Sequence, residues 1–170
     1  MKNYKMNIAI ISDIHDQIEN LKWTLDQISD KNISHIFTLG DYTSPYIIER
    51  LQVNNIPISA VWGNCDGDRH SMLLASQNEN KNISFARREF DAVEIDDKKF
   101  FLTHYPDLAE NAANSLDYDA VFHGHTHYQR NEKIGTVPII NPGKLAPYPN
   151  DKISFAIFDT KTFDVEFIVK

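Results

Sequence analysis

The chain has 170 residues, which fits one ordinary domain, here residues 1–170, able to bury about 70% of its extended-chain surface. Hydrophobic residues make up 42% of the chain and its net charge is −7, which argues against a non-specific nucleic-acid binder. A single cysteine, Cys65, excludes an intramolecular disulfide and favours a reducing cytoplasm. The apolar stretch from Met6 to Ile11 is too short for a signal sequence or a membrane span, so we expect a soluble protein.

Strands and helices alternate over the first third of the chain. The run from Met6 to Ile11 is continuously apolar and β-branched, as in a central parallel strand. Apolar residues recur at helical spacing in the next segment, and Pro45 suits the first turn of a second helix. The predicted strands cover residues 6–11, 34–39 and 56–62, and the predicted helices cover 17–30 and the residues after Pro45. This alternation predicts βαβ units and a parallel sheet.

The second half of the chain is predicted to be mostly β-structure. A turn at residues 96–99 separates two apolar runs and predicts a hairpin. The predicted helices cover residues 69–80 and 107–116, and the predicted strands cover 91–95, 100–103, 119–122, 128–134, 137–140, 153–159 and 163–169. The fold class is therefore α/β.

Polar residues that can bind metal follow five of the predicted strands. In open α/β sheets, ligands bind outside the carboxyl ends of the strands. In chain order these residues are Asp13 and His15, Asp41, Asn64, His104, and His125 with His127. Carboxylate, amide and imidazole ligands without a thiolate suit manganese, iron, nickel or zinc in a reactive site better than a structural zinc site.

The segment from His123 to His127 carries the densest part of this pattern. In extended backbone, residues two apart point the same way, so His125 and His127 are expected to aim at one place, with Gly124 allowing close approach. The alternative is a polar loop whose histidines bond to neighbouring backbone. A second D-x-H pattern, Asp68 and His70, lacks a preceding strand, and we assign it no function.

The motifs D-x-H, G-D, G-N-C-D, a strand-terminal His104 and G-H-T-H, in that order, resemble the calcineurin-like metallophosphoesterases. The length and the G-N-C-D form resemble their small prokaryotic phosphodiesterase branch, and the resemblance runs from Met6 past Gly143. It implies a four-layer α/β/β/α sandwich of two mixed sheets flanked by helices, with two divalent transition metal ions. Manganese is the first expectation, with iron, nickel or zinc as alternatives.

The resemblance also implies a ligand set and an activity. Asp13, His15, Asp41 and His127 would hold one metal, and Asp41 as a bridge, Asn64, His104 and His125 would hold the other. The implied reaction is hydrolysis of a small phosphate ester, preferably a diester, by in-line attack of a hydroxide that bridges the metals. Asp41, Asn64 and His104 would act in catalysis by positioning that hydroxide and the phosphate.

The chain departs from the family pattern at two places that bear on the substrate. Many members have G-N-H-E where this chain has G-N-C-D, and that histidine is taken to protonate the leaving group. Cys65 is a poor acid, so we expect it to be a small buried hydrophobe and Asp66 to shape the loop, which favours diesters with good leaving groups. Lys144 follows Gly143 where relatives have serine, and we expect either a phosphate contact or a solvated loop lysine.

Three alternatives stay open from the sequence. The activity is that of a phosphodiesterase or of a phosphomonoesterase or nucleotidase, or the chain is a non-catalytic scaffold related to the retromer scaffold subunit. We expect a small-molecule substrate, no stable nucleic-acid binding and no membrane partner, with a homo-oligomer left open. His123 is expected to be structural rather than a ligand, and Tyr42 either lines the cleft or packs in the core.

Overall fold

The computed structural model describes residues 6–51, 54–77, 82–150 and 152–170. In chain order, the elements within these residues are β1 (Asn7–Ile11), α1 (Ile18–Ser29), β2 (Ile33–Thr38), α2 (Pro45–Arg50), β3 (Ile58–Ala60), α3 (Arg69–Ser76), β4 (Ile83–Phe85), β5 (Phe90–Ile95), β6 (Lys98–Thr103), α4 (Pro106–Ser115), β7 (Ala120–Phe122), β8 (Gln129–Ile134), β9 (Val137–Pro142), β10 (Ser154–Asp159) and β11 (Val165–Val169). No helix among these residues is long and apolar enough to span a membrane.

Two mixed sheets account for all of the described strands. The first sheet has the order β11-β10-β1-β2-β3-β4, in which β1 to β4 are parallel, β10 pairs antiparallel with β1, and β11 pairs antiparallel with β10. The second sheet has the order β5-β6-β7-β9-β8, with β6, β7 and β9 parallel at its centre. The parallel arrangement predicted for the first third of the chain is confirmed.

Side-chain alternation along β1 shows how the layers stack. Ile8 and Ile10 belong to a core between the two sheets that also holds Phe37, Phe100 and Phe122. Ala9 and Ile11 point the other way, into a core shared with the buried faces of α1, α2 and α3. A third core packs the alanines of α4 against the outer face of the second sheet. The result is the predicted four-layer α/β/β/α arrangement.

The predicted elements differ from the observed ones mainly at their ends. Strand β4 is three residues long, and the sequence did not predict it. The turn of the β5–β6 hairpin is only Asp96 and Asp97, whose φ angles of 55° and 59° are those of a tight two-residue turn. Helix α3 ends at Ser76, and residues 78–80 of its predicted range lie outside the described residues.

Candidate metal centre

All seven predicted ligand residues come together at one edge of the molecule. They follow the carboxyl ends of β1, β2 and β3 in the first sheet and of β6 and β7 in the second. Because these strands are parallel within each sheet, their carboxyl ends lie along a common edge. The side chains form two groups, the first and the second half-site, and Asp41 belongs to both.

The first half-site consists of Asp13, His15 and His127 with the shared Asp41. His127 Nε2 lies 3.2 Å from Asp13 Oδ1 and 3.3 Å from His15 Nε2. His15 Nε2 lies 3.4 Å from Asp41 Oδ2 and 3.9 Å from Asp13 Oδ1. Asp13 is fully buried, and its Oδ1 has no hydrogen-bond partner within the described residues. Ligand atoms of Asp13, His15 and His127 therefore all lie within 4.8 Å of one another, and Asp41 Oδ2 lies beside His15 Nε2.

The second half-site consists of Asn64, His104 and His125 with the shared Asp41. Asn64 Oδ1 lies 3.1 Å from His104 Nε2 and 2.9 Å from His125 Nδ1, and those two nitrogens are 3.2 Å apart. His104 Nε2 is also 3.5 Å from Asp41 Oδ2, the same oxygen that faces His15. Asp41 Oδ2 thus stands between the two half-sites.

These separations fit metal ions. Two ligand atoms that each lie about 2.1 Å from one ion are about 3.0–3.4 Å apart, depending on the coordination geometry. Most of the separations in both half-sites are close to this range, and a buried carboxylate oxygen without a hydrogen-bond donor is costly unless a cation satisfies it. The residues present therefore fit two divalent ions of the kind that accept oxygen and imidazole ligands.

The backbone at the candidate ligands is strained. Five of the seven have left-handed φ angles, which are uncommon for residues other than glycine. They are Asp13 (53°), His15 (45°), Asp41 (57°), His125 (70°) and His127 (64°). The prediction that His125 and His127 lie in extended backbone and aim at one place is therefore wrong. Strand β7 ends at Phe122, and the two rings enter different half-sites.

Two glycines allow the ligand loops to approach each other. A Cβ at Gly63 would collide with the Asp41 carboxylate, and a Cβ at Gly124 would collide with Ser12 Oγ and lie 2.8 Å from Asp13 Oδ2. The His125 N–H donates to that same Asp13 oxygen at 3.1 Å. The close approach expected at Gly124 is confirmed, because the segment from His123 to His127, the histidine loop, contacts the loop that carries Asp13 there.

Hydrogen bonds turn the candidate ligands towards the half-sites. His104 is fully buried, and its Nδ1 lies 2.7 Å from the Leu39 carbonyl, which leaves Nε2 facing Asn64. His127 Nδ1 lies 3.3 Å from the Tyr148 carbonyl, which leaves its Nε2 facing Asp13. Each contact lets Nδ1 carry the proton and Nε2 present its lone pair, the form that binds a metal.

The charges of the centre shift its pKa values. Burial alone would raise the pKa of Asp41, but His104, the Cys65 N–H and His15 lower that pKa to about 2. Burial alone would lower the pKa of His104, but the Asp41 and Asp13 carboxylates raise it. Asp13 raises the pKa of His127, whereas burial lowers the pKa of His15. The carboxylates therefore attract protons, as they would attract metal ions.

Asp66 shapes two ligand loops, as the sequence predicted. Its carboxylate accepts hydrogen bonds from the backbone N–H groups of Gly63 (2.7 Å), Asp41 (3.0 Å), Tyr42 (2.7 Å) and Thr43 (3.0 Å). The loop after β2 is thereby joined to the loop after β3. Tyr42 packs in the core and does not line the cleft, because it is fully buried and its hydroxyl bonds to backbone carbonyls.

Cys65 differs from its predicted environment. The thiol is exposed and not a buried hydrophobe, and it lies within 4.8 Å of ligand atoms of His15 and Asp41. The Asn64 amide donates to Cys65 Sγ at 3.2 Å, which turns Asn64 Oδ1 towards the second half-site. Burial, followed by the charge of Asp41, raises the pKa of the thiol to about 11. The thiol is therefore a weak proton donor at the edge of the centre.

Lys144 contacts backbone and is neither solvated nor aimed at a substrate. Its side chain is buried, and Nζ donates to the carbonyls of Ala146 (2.7 Å), Asn150 (2.6 Å) and Lys152 (3.1 Å). Both expectations for this residue are therefore wrong. The sequence carried no signal for this role, because the three carbonyls come from an irregular segment.

His123 and Asn141 contact the backbone of the histidine loop at Gly124. His123 is buried, with Nδ1 2.9 Å from the Gly124 carbonyl, so its expected structural role is confirmed. The Asn141 amide donates to the Gly124 carbonyl at 2.8 Å and to Thr126 Oγ1 at 3.1 Å. The sequence analysis assigned Asn141 no role and missed this contact.

Two tyrosines flank the centre, and the sequence analysis assigned neither of them a role. The Tyr105 ring contacts His104 and His125, with centroids 5.3 Å and 5.9 Å apart. The Tyr148 ring contacts His127 and His15, with centroids 5.4 Å and 5.8 Å apart. Partial burial, followed by Cys65, Asp41 and Asp13, raises the pKa of Tyr148. Each half-site therefore has an aromatic neighbour.

The chain is similar to known phosphoesterases. The model of the calcineurin-like phosphoesterase superfamily domain matches residues 6–163. The phosphodiesterase MJ0936 of Methanocaldococcus jannaschii is 35% identical over 168 residues, covering 96% of this chain and 99% of the relative. The phosphodiesterase YfcE of Escherichia coli K12 is 25% identical over 175 residues, covering 94% and 91%.

A solved structure shows the same fold. It is described as a novel archaeal phosphodiesterase, is 34% identical in sequence, and superposes with a TM-score of 0.86 over 97% of this chain and 100% of its own. Both mixed sheets and the flanking helices are therefore those of a metallophosphoesterase fold.

Proposed function

Because the chain belongs to the calcineurin-like phosphoesterase superfamily, we propose that it is a dinuclear metal-dependent phosphodiesterase. The observation that carries the proposal is the convergence of two groups of ligand atoms on one shared oxygen, Asp41 Oδ2. In this proposal Asp13, His15, Asp41 and His127 hold one divalent ion, and Asp41, Asn64, His104 and His125 hold the other. Manganese is the first candidate, with iron, nickel and zinc as alternatives.

The bound ions would supply a hydroxide nucleophile at neutral pH and stabilise the charge that develops on the phosphoryl oxygens. The protein's own contribution is to place the ligands before any ion binds. Asp66 joins the Asp41 and Asn64 loops, and the Leu39 carbonyl orients His104. Positioning of this kind removes a reorganisation cost from the reaction, because the ligands do not have to move as charge develops.

One consideration favours a diester substrate, and a second favours a good leaving group. The relatives with the highest identity reported above are named phosphodiesterases. In addition, Cys65 occupies the place of the histidine that many superfamily members use to protonate the leaving group, and a thiol is only a weak hydrogen-bond donor. A substrate with a good leaving group, such as an aryl diester, does not need that proton.

The test is a substrate panel on metal-reconstituted protein. We would remove all metal, reload with manganese, nickel, iron or zinc, and assay an aryl phosphodiester, the matching aryl phosphomonoester, cyclic nucleotides and nucleotides. We expect the aryl diester to be hydrolysed fastest and the metal content to approach two ions per chain. A series of diesters with leaving groups of rising pKa should show a steep fall in rate, as expected without a proton donor.

Each of the other outcomes has a definite meaning. Faster turnover of the monoester would show a phosphomonoesterase or nucleotidase. A protein that binds no transition metal and hydrolyses none of the esters under any of the four loading conditions would be a scaffold of this fold. One tightly bound ion with full activity would contradict the dinuclear part of the proposal alone.

A further inference from the structure

Tyr148 is an exposed aromatic residue whose ring contacts two of the candidate ligands. Its side chain is 54% exposed, and its ring is tilted by 58° and 51° against the rings of His127 and His15. The ring therefore stands beside the first half-site with one part open to solvent. Ligand sites are lined largely by hydrophobic and aromatic side chains, so an open ring in this position is placed to contact a ligand.

The segment that carries Tyr148 is held from several sides. The buried Lys144 ammonium binds three carbonyls before and after Tyr148 in the chain, those of Ala146, Asn150 and Lys152. The N–H groups of Leu145 and Ala146 donate to the Asp13 carbonyl at 3.1 Å and 3.0 Å. The segment is therefore attached to a loop of the first half-site. An aromatic ring on such a segment loses little conformational entropy on binding a ligand.

Two other described tyrosines, Tyr105 and Tyr46, each lack one of these properties. Tyr105 is partly buried, and its ring stands edge-on to His104 at an interplanar angle of 87°. Tyr46 is 63% exposed, but its ring is covered by the Arg50 guanidinium 5.9 Å from its centroid. Tyr148 thus differs from Tyr105 in its exposure and from Tyr46 in its contact with candidate ligands.

We propose that Tyr148 is a specificity-determining residue whose ring stacks on a planar aromatic group carried by the substrate phosphate. This inference rests on the proposed phosphoesterase function and narrows its substrate class to esters with an aryl or nucleobase ring. The phosphate would bind between the half-sites, and the ring would extend towards Tyr148. Stacking on an aromatic side chain should strengthen binding about 5- to 30-fold.

The experiment compares phenylphosphonate with methylphosphonate, whose carbon–phosphorus bonds are not cleaved by phosphoester hydrolysis. Their dissociation constants for the metal-loaded protein would be measured by calorimetry, without any turnover. We expect phenylphosphonate to bind about 5- to 30-fold more tightly than methylphosphonate. Tyr148→Phe should keep that ratio, whereas Tyr148→Leu and Tyr148→Ala should bring it within about twofold of one, because neither offers a ring. Tyr46→Ala is the matched control and should keep the wild-type ratio.

The ratio also separates this inference from the proposed function. The Tyr148 carbonyl that faces His127 is backbone, so all three variants should keep their metal, which metal analysis would check. A ratio near one in the wild type, a wild-type ratio in Tyr148→Leu, or no binding of either phosphonate would overturn the inference. Absence of ester hydrolysis with a normal phosphonate ratio would instead remove the proposed function and leave an aromatic phosphonate-binding site.

Discussion

The two half-sites present ligands in different ways. The first offers two carboxylates, Asp13 and the shared Asp41, while the side chains of His15 and His127 remain 13% exposed. The second adds only the neutral Asn64 amide and two imidazoles to Asp41, but its His104 is completely buried and held 2.7 Å from a backbone carbonyl. The first half-site therefore attracts a cation mainly by charge, and the second mainly by ligands already in place.

This difference predicts an order of metal binding. Each added carboxylate strengthens attraction for a divalent ion, particularly inside a protein where screening is weak. We therefore expect the first half-site to fill at lower metal concentration than the second.

The largest effect should come from Asp41→Asn, because Asp41 Oδ2 faces both half-sites. The amide keeps the shape of the side chain but removes the shared charge. We expect the protein to retain at most one weakly bound ion and to lose more than about 10³-fold of its aryl diesterase rate. Metal analysis and initial rates would measure this. Asp107→Asn, which changes an exposed carboxylate in the first turn of α4, is the matched control. Two tightly bound ions in Asp41→Asn would contradict the shared role.

Removing one imidazole from each half-site should give unequal results. His127→Ala takes a ligand from the first half-site, and His125→Ala takes one from the second. Both variants should lose about 10²- to 10³-fold in rate, since each would lack one ion during the reaction. His125→Ala should nevertheless keep more metal after dialysis, because the half-site with two carboxylates remains whole.

The opposite order of metal retention would show that the buried geometry of His104 outweighs the charge of Asp13. Retention of two ions and full activity in His127→Ala would remove that residue from the ligand set. Both results can be read from the same dialysis series, with zinc and manganese as probes.

Lowering the pH should weaken metal binding less than the substitutions above do, and it should affect both half-sites. The pKa of His104 and that of His127 are raised above the ordinary value of 6.5 in the metal-free protein. A metal must displace these protons, so apparent affinity should fall as pH falls, beginning above pH 6.5. The slope should approach about one log unit per pH unit for each displaced proton. Calorimetry in buffers of different ionisation enthalpy would count the protons, and His127→Ala should release one fewer. A binding curve that is flat between pH 8 and pH 6 would contradict this prediction.

The sequence predicted which candidate ligand residues lie close together, but not the directions of their side chains. The five strand ends were visible because each follows an apolar run, and parallel strands bring their ends to one edge. The directions of His125 and His127 were not predictable, since both have left-handed backbone and the His125 N–H donates to Asp13, which is distant in the chain. Spacing rules apply to regular backbone and fail where tertiary contacts impose strain.

Residues without a regular element were the hardest to interpret. The sequence predicted that Lys144 is either a solvated lysine or a phosphate contact. A buried lysine was not expected, because burial of lysine is rare unless nearby carbonyls accept its protons. Those carbonyls come from a segment with no periodic pattern, and for the same reason the sequence did not indicate that Tyr148 lies beside the candidate ligands. Asp66 was easier, since a carboxylate that follows a glycine-containing ligand loop is well placed to accept its N–H groups.

The smallest effect should come from Cys65→Ala. The thiol accepts one weak hydrogen bond from Asn64, and a good leaving group needs no proton, so the rate on aryl diesters should change by no more than about threefold. Cys65→Ser, which keeps an acceptor for Asn64, should lie closer to the wild type. The decisive measurement is the rate across diesters of rising leaving-group pKa. If the thiol donated a proton, the loss in Cys65→Ala would grow with that pKa. A constant small loss would show that Cys65 only orients Asn64 in the second half-site.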